Sequence, residues 1–253
     1  MLSKKWLKFI KSLQIKKFRK ENRSFLVEGA KTVQELLQSD FVIQILFATE
    51  EFYQSSIRLL EGQSFAIEIV SQAELEAAGS FQSNNACLAV ADIKENRVLS
   101  AEADEFVLVL DEVKDPGNLG TIIRVADWYG IRKIVCSTDT ADVYNPKVIS
   151  ASMGSFTRVS LYYCDLCEYL AQQQQQAIYG AFLDGENIHH TRFPASGYIV
   201  MGNESHGIGE DLQPLINHSI TIPRFGGAES LNVGIATAII CDNVRRKTIS
   251  NEQ

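Results

Sequence analysis

Residues 106–110 (Phe-Val-Leu-Val-Leu) form a continuous apolar run that limits what this chain can fold into. A strand with apolar side chains on both faces must be covered on both sides, as in a parallel sheet with helices on each face. Further apolar runs typical of strands follow at 133–136, 178–183, 198–201 and 219–222. The second half of the chain therefore predicts an α/β domain with a parallel sheet.

The first half also alternates strand and helix patterns. Strands are predicted at 42–48, 66–70 and 86–91, and helices at 50–61 and 72–78. This pattern indicates a smaller α/β unit of about 90 residues. Residues 93–104 are polar and have little periodicity, which is typical of a domain boundary. We therefore expect one domain over residues 1–95 and a second over 105–253.

The cysteines and the apolar runs indicate the cellular compartment of the protein. The five cysteines have no spacing typical of a disulfide framework, so a reducing compartment is expected. Cys164 and Cys167 form a single CxxC pair, whereas a structural zinc site needs four ligands, so we expect no metal. No apolar run reaches 18 residues, so no membrane span is predicted. We expect a cytoplasmic protein; the alternative is that the basic N-terminal helix is a mitochondrial presequence.

Positive charge is concentrated at the N-terminus. The net charge of the chain is −7, yet residues 1–23 hold nine Lys or Arg and one acidic residue, Glu21. Leu2, Trp6, Phe9, Ile10 and Leu13 recur at helical spacing, which predicts a basic amphipathic helix. Because phosphate binding depends on local charge, this segment favours RNA as a partner. A solvated helix face and a membrane-surface helix are the alternatives.

Three later segments carry glycine and polar residues at the end of a predicted strand. In the first, Gly117 and Gly120 leave room for a close neighbour, Asn118 can cap a helix, and Arg124 lies one turn after Gly120. An ordinary turn followed by a solvated arginine would give the same pattern.

The second segment, 199–209, contains three glycines after a strand, at the sheet edge where α/β proteins bind ligands. It has no dinucleotide GxGxxG motif, and His206 reads as a loop residue. In the third, a strand ends at Pro223 and Ser230 or Asn232 caps the last helix. Exposed main chain after Pro223 is suited to hold a purine.

In this order the three segments resemble the SpoU family of RNA 2'-O-ribose methyltransferases. The family pattern N-x-G-x-x-x-R, then G-N-E, then S-L-N-V, is matched by Asn118, Gly120 and Arg124, by Gly202-Asn203-Glu204, and by Ser230-Leu231-Asn232-Val233. The resemblance covers about residues 105–247, and 144–147 and 152–154 also resemble a family segment. Residues 25–29 and the basic residues before them resemble, more weakly, the substrate-binding domain of the family.

The resemblance implies a knotted fold and a cofactor. The second domain would be of the SPOUT class, with a deep trefoil knot through which the last helix passes, and would form homodimers. It would bind S-adenosylmethionine (AdoMet) through residues of the second and third segments: Met201, Gly202, Asn203, Ile222, Pro223, Ser230 and Leu231. One departure is Arg224-Phe225, where many relatives carry apolar or small residues.

The resemblance also implies site roles. Arg124 would orient the ribose 2'-hydroxyl or take its proton, although a guanidinium with a pKa above 12 is a poor base. Asn118, Glu204, Ser230 and Asn232 would complete the catalytic site by holding Arg124 and the cofactor, without a metal. In the first domain, RNA would be bound by residues of the basic segment and the strand after it: Lys16, Lys17, Arg19, Lys20, Arg23 and Glu28.

The separate first domain favours ribosomal RNA (rRNA) as the substrate. The alternatives are a transfer RNA 2'-O-methyltransferase, a non-catalytic RNA-binding assembly factor that kept the fold, and a related enzyme that methylates a base. The presence of Arg124 together with Asn118 and Ser230 argues against the assembly factor.

Overall fold

The computed structural model describes residues 2–80 and 83–249. The chain divides into two compact units. Unit 1 comprises residues 1–95 and 142–157, and unit 2 comprises residues 96–141 and 158–253. The second domain expected from the sequence, residues 105–253, includes 142–157, whereas these residues pack within unit 1.

The basic N-terminal segment of unit 1 forms two helices, α1 (Lys4–Ser12) and α2 (Lys16–Asn22), where one was predicted. Ile15 has an extended backbone and separates them. The Arg19 guanidinium donates to the main-chain oxygens of Leu13 and Gln14, both at 2.9 Å. Carbonyl groups at the end of α1, which have no partner inside the helix, are thus satisfied by a side chain from α2.

Unit 1 has a four-stranded mixed sheet. Its strands are β1 (Ser24–Glu28), β2 (Ile43–Ala48), β3 (Ala66–Ile69) and β4 (Cys87–Asp92), in the order β1-β4-β2-β3. β4 is antiparallel to β1 and β2, and β3 is parallel to β2. The intervening helices are α3 (Ala30–Leu37), α4 (Glu50–Ser55), α5 (Ile57–Leu60) and α6 (Gln72–Ala78). The helix predicted at 50–61 is therefore divided at Ser56.

The remaining elements alternate strand and helix. In chain order they are β5 (Phe106–Leu110), α7 (Pro116–Trp128), β6 (Lys133–Ser137), α8 (Pro146–Ser152), β7 (Ser160–Cys164), α9 (Leu166–Ala171), β8 (Ile178–Asn187), β9 (Gly197–Met201), β10 (His218–Thr221) and α10 (Val233–Ile249). All belong to unit 2 except α8, which lies in the 142–157 segment of unit 1.

The sheet of unit 2 has six strands in the order β10-β8-β9-β5-β6-β7, and every neighbouring pair is parallel. All residues of β5 and β9 are buried, as expected for central strands covered on both faces. The parallel sheet predicted from residues 106–110 is therefore confirmed. No helix among the described residues is long and apolar enough to cross a membrane.

Residues 96–104 contain no helix or strand, yet they are bound to unit 2. The side chain of Asn96 exchanges two hydrogen bonds with the main chain of Tyr163. The Tyr169 hydroxyl donates to the oxygen of Leu99 at 2.6 Å, and the Tyr198 hydroxyl accepts from the amide of Ala101 at 3.0 Å. The polar composition that predicted a boundary thus belongs to a segment held on the surface of unit 2.

The 142–157 segment is held in unit 1 by an ion pair and an aromatic cluster. Arg19 is 1% exposed, and its Nη2 lies 2.7 Å from Oδ2 of Asp142. The ring of Phe25 in β1 lies 4.6 Å from that of Tyr144 and 6.0 Å from that of Phe156, measured between centroids. Unit 1 therefore needs residues from beyond position 140 to complete its interior.

We expect Arg19→Met to destabilise the protein strongly. The change leaves the Asp142 carboxylate, which is largely buried, and the two carbonyl groups at the end of α1 without their donor. Removing one partner of such a pair should lower the free energy of unfolding by about 3 kcal/mol. Urea denaturation followed by circular dichroism measures this. Lys20→Met, at the exposed neighbouring position, is the control and should stay within about 0.5 kcal/mol of wild type.

Candidate active site

The site lies at the carboxyl edge of the unit 2 sheet, where β5 and β9 are neighbours. Leu110 and Met201 are paired at the ends of these strands, and the Asp111 amide donates to the Met201 oxygen at 2.9 Å. After β5 the chain continues to β6 on one side, and after β9 it continues to β10 on the other. The loops diverge at this point, and open α/β sheets bind ligands in the crevice that such a switch creates.

The loop after β5 ends in a helix cap that differs from the predicted one. Asp115, not Asn118, is the N-cap of α7, and its Oδ1 accepts from the Asn118 amide at 2.8 Å. Pro116 occupies the first turn, where its missing N–H costs nothing. Since Asp115 caps the helix, the side chain of Asn118 is available for other partners.

The loop after β9 is closed on itself. Asn203 and Gly207 exchange two main-chain hydrogen bonds, of 2.9 and 3.0 Å. The Oδ1 of Asn203 accepts from the Ser205 amide, and its Nδ2 donates to the Glu112 oxygen at 2.7 Å. A Cβ at Gly202 would lie 2.2 Å from the main-chain carbon of Gly207, so this close approach requires glycine.

Three predicted residues are joined by side-chain hydrogen bonds. Asn118 Nδ2 donates to Glu204 Oε1, and Asn232 Nδ2 donates to Asn118 Oδ1, each at 2.8 Å. Asn232 Oδ1 also accepts from the amides of Gly234 and Ile235, so Asn232, rather than Ser230, caps α10. The three loops predicted to carry the chemistry are therefore brought together, with Asn118 at the centre.

Two residues of this site were not found from the sequence. Asp111 is buried, its Oδ2 accepts from the Gly209 amide at 2.8 Å, and burial raises the pKa of its carboxyl group. Glu112 has a left-handed backbone with φ of 52°, which directs its carbonyl group to Asn203. A hydrogen bond from Lys114 lowers the pKa of the Glu112 side chain. A non-glycine residue at positive φ leaves no pattern in a single sequence.

Arg124 and Ser230 lie outside this network. Both are exposed, and no residue in the described part of the chain forms a hydrogen bond or ion pair with either side chain. In the isolated chain, Asn118, Glu204, Ser230 and Asn232 therefore do not hold Arg124 as expected. The guanidinium of Arg124 is available to a partner other than this chain.

The loop between β10 and α10 has unpaired main-chain donors beside apolar side chains. Met201 is buried at the end of β9, while Ile222 and Pro223 are half-buried after β10. Among the described residues, nothing accepts from the main-chain N–H groups of 224–231, and Leu231 in this loop is 49% exposed. Free main-chain donors beside apolar surface suit a purine ring and a carboxylate. No group of three potential His, Cys, Asp or Glu metal ligands occurs among the residues described.

The residues predicted to bind RNA in unit 1 fall into two groups. Exposed side chains occur at Lys16, Lys17, Lys20 and Arg23. Arg19 and Glu28 are buried. The Glu28 carboxylate accepts from the amide and hydroxyl of Ser80. The expectation of RNA contact is corrected for these two, because their side chains are used inside unit 1.

We expect Gly202→Ala to lower the affinity for AdoMet at least tenfold, or about 1.4 kcal/mol. The added Cβ would lie 2.2–2.5 Å from main-chain atoms of Gly207 and Ile208, so the loop must move. Gly62→Ala is the control, because nothing lies within 4 Å of a Cβ there and Gly62 belongs to unit 1, outside the cofactor loops. Titration calorimetry measures both affinities. Wild-type affinity in Gly202→Ala would contradict the assignment of this loop to the cofactor site.

Two protein-family models match separate parts of the chain. Residues 105–242 match the SpoU rRNA Methylase family, and residues 4–89 match the MRM3-like substrate binding domain. The first match includes β5 to β10 and most of α10, and thus all three loops of the site.

Known proteins similar over the full length support the same assignment. The 23S rRNA (guanosine(2553)-2'-O)-methyltransferase RlmP of Bacillus subtilis is 29% identical over 240 residues, 93% of this chain and 94% of that protein. A TrmH-family protein from Porphyromonas gingivalis has a similar structure, with a TM-score of 0.86, 35% identity and coverage of 98% and 99% of the two chains. The structure of an AdoMet-bound rRNA methyltransferase from Sinorhizobium meliloti has a TM-score of 0.85 and 26% identity, with coverage of 97% of this chain and 96% of that chain. With most of unit 2 and its site matched, the chain belongs to the SpoU rRNA methylase family.

Proposed function

We propose that this protein transfers a methyl group from AdoMet to a ribose 2'-hydroxyl of rRNA. The observation that carries the proposal is the Asn118–Glu204–Asn232 network, because it joins the three family motifs at one edge of a parallel sheet. The rRNA methyltransferases among its relatives support rRNA, with transfer RNA as the alternative. A cytoplasmic location fits such a substrate.

The cofactor site is formed by the loops after β9 and β10. We assign the purine to main-chain groups that follow Met201 and Pro223, with Gly202, Asn203, Ile222, Ser230 and Leu231 completing the pocket. When bound, AdoMet supplies a methyl group on a positively charged sulfur, which makes that carbon electrophilic. The closed 203–207 turn and the Asn232 cap hold these loops in place before any ligand binds, which reduces the ordering cost of binding.

Arg124 orients the ribose in this proposal. Methyl transfer needs the 2'-oxygen aligned with the methyl carbon, and a planar guanidinium donates in fixed directions. Arg124 lies on α7 one turn after Gly120 and has no partner in the described chain, so its donors are available to RNA. Because an ordinary guanidinium is a poor base, we assign Arg124 to orientation of the hydroxyl and to stabilisation of the negative charge that develops on the 2'-oxygen as its proton passes to water.

The exposed face of α7 supports a homodimer. Trp128, in the same helix as Arg124, is 83% exposed, and Ile235 on α10 is 54% exposed. The two helices pack together within unit 2, where Thr121 of α7 lies against Gly234 of α10. Trp128 lies one helical turn from Arg124 and is suited to contact with a second copy, which would place Arg124 beside the interface. Sedimentation at micromolar concentration distinguishes dimer from monomer. The trefoil knot implied by the family stays a prediction.

Exposed lysines on α1 and α2 supply the RNA affinity of unit 1. Ile10 and Leu13 are fully buried on one side of this segment, whereas Lys4, Lys5, Lys8 and Lys11 are exposed on the other. With Lys16, Lys17, Lys20 and Arg23 they give this segment a strong excess of positive charge, since Glu21, 3.8 Å from Lys17, is its one acidic residue. Such a segment neutralises phosphates and releases counterions on binding.

We expect Arg124→Ala to lower the single-turnover rate of methyl transfer more than tenfold, a barrier increase above about 1.4 kcal/mol, while AdoMet affinity is unchanged. Arg124→Lys should also be impaired, since it loses the planar fork. The substrate is rRNA from a strain lacking the gene, with transfer RNA from the same strain as the second arm, and 2'-O-methyl mapping identifies the nucleotide. Arg132→Ala, at another exposed arginine of unit 2, is the control. A rate for Arg124→Ala above a tenth of wild type would contradict the role.

We expect the double variant Lys16→Gln/Lys20→Gln to weaken RNA binding and to make it less salt-dependent. Each lost phosphate contact should reduce the slope of log affinity against log salt by about 0.7–0.9. Lys31→Gln/Arg58→Gln removes the same charge from other exposed positions of unit 1 and should leave the slope nearer to wild type. Point changes are preferable to deletion of residues 1–95, because deletion would uncover Tyr144 and Phe156. Equal slopes in the two variants would contradict the assignment.

A further inference from the structure

Phe225 has no covering residue. Its side chain is 98% exposed, whereas every other phenylalanine of the described chain is buried or half-buried. The two residues after it are Gly226 and Gly227, and nothing lies within 4 Å of a Cβ built on either. The ring thus stands on a loop with open space around it, and the fold itself does not use its apolar area.

The loop that carries Phe225 begins and ends at the active site. Pro223, at its start, follows β10 in the proposed purine pocket. Asn232, at its end, donates to Asn118 in the side-chain network. A residue between these two anchor points is therefore close in the chain to both the cofactor loops and the Asn118 network. The exposed Val98 of unit 2 is far from them in the chain.

The residue before Phe225 in the chain carries a positive charge. Arg224 is exposed, and its guanidinium makes one long hydrogen bond, from Nη1 to the Ala228 oxygen at 3.3 Å. Most of its donors are left for a ligand. An exposed aromatic ring and an exposed guanidinium at consecutive positions of a glycine-containing loop are suited to unpaired RNA, in which the ring stacks on a base and the cation binds phosphate.

We propose that Phe225 stacks on an unpaired base of the RNA substrate at or beside the methylated nucleotide, while Arg224 binds an adjacent phosphate. The inference rests on the proposed function and narrows its substrate class to single-stranded rRNA segments. A base inside a duplex is stacked on its neighbours and offers no free face to the ring, so pairing of the target segment would remove the contact. Phe225 is then a specificity residue for RNA, with no part in AdoMet binding.

The test measures methylation kinetics on an rRNA fragment that carries the mapped nucleotide in an unpaired segment. Phe225→Ala should raise the KM for this RNA roughly 5- to 150-fold, the range found for loss of base–aromatic stacking. Phe225→Tyr keeps a flat ring and should restore most of the affinity. AdoMet affinity should be unchanged in both. Val98→Ala, which truncates another exposed apolar side chain of unit 2, is the control.

In a second experiment, a complementary strand is annealed across the target segment of the RNA. Wild type should then fall to the level of Phe225→Ala. Three outcomes would overturn the proposal: a KM within twofold of wild type in Phe225→Ala, an equal loss of AdoMet affinity, or a change of oligomeric state, which would assign the ring to a second copy of the chain.

A different result is expected if the proposed function itself is wrong. Wild type would then methylate neither rRNA nor transfer RNA. Binding of the same unpaired fragment, measured by fluorescence anisotropy without AdoMet, would still report on Phe225. A loss of affinity in Phe225→Ala supports the stacking contact in that case, and an unchanged affinity overturns it.

Discussion

The side-chain amide of Asn118 is the interaction on which the site depends. Its nitrogen donates to the Glu204 carboxylate and its oxygen accepts from Asn232, so both ends of the amide are used and only one orientation satisfies them. Aspartate at this position would place two carboxylates side by side, and leucine would lose both bonds. Three loops that leave separate strands are held together by one residue that is both donor and acceptor.

The parallel sheet makes this arrangement possible. Because all six strands point the same way, the loops that carry Asn118, Glu204 and Asn232 leave the same edge. Two backbone features then complete the geometry. Asp115 caps α7 and so releases the Asn118 side chain, and the left-handed conformation of Glu112 turns its carbonyl group towards Asn203. The positions of the site residues therefore depend on main-chain turns as well as on side-chain hydrogen bonds.

Much of the fold and of the motif clustering could be predicted from the sequence, because both depend on local patterns. The apolar run at 106–110 predicts a buried parallel strand, and the three motifs predict loops at one sheet edge. The role of Arg19 could not be predicted in this way. An arginine in a basic helix is usually solvated, and its partner Asp142 is 123 residues away in the chain. The cap at Asp115 and the positive φ of Glu112 were missed for another reason: several residues near a turn satisfy the same sequence rules.

The placement of residues 142–157 in unit 1 has a consequence for synthesis. A ribosome makes the chain from the N-terminus, and domains usually fold as they emerge. Here unit 1 cannot complete its interior when only its first 95 residues have been made. Phe25 still lacks its contacts with Tyr144 and Phe156, and Arg19 lacks its partner Asp142. By the time Asp142 has been made, β5, α7 and β6 of unit 2 have also been translated. The order of translation therefore does not separate the two units into successive folding events, and Phe25 keeps its aromatic surface uncovered until residue 156 has left the ribosome.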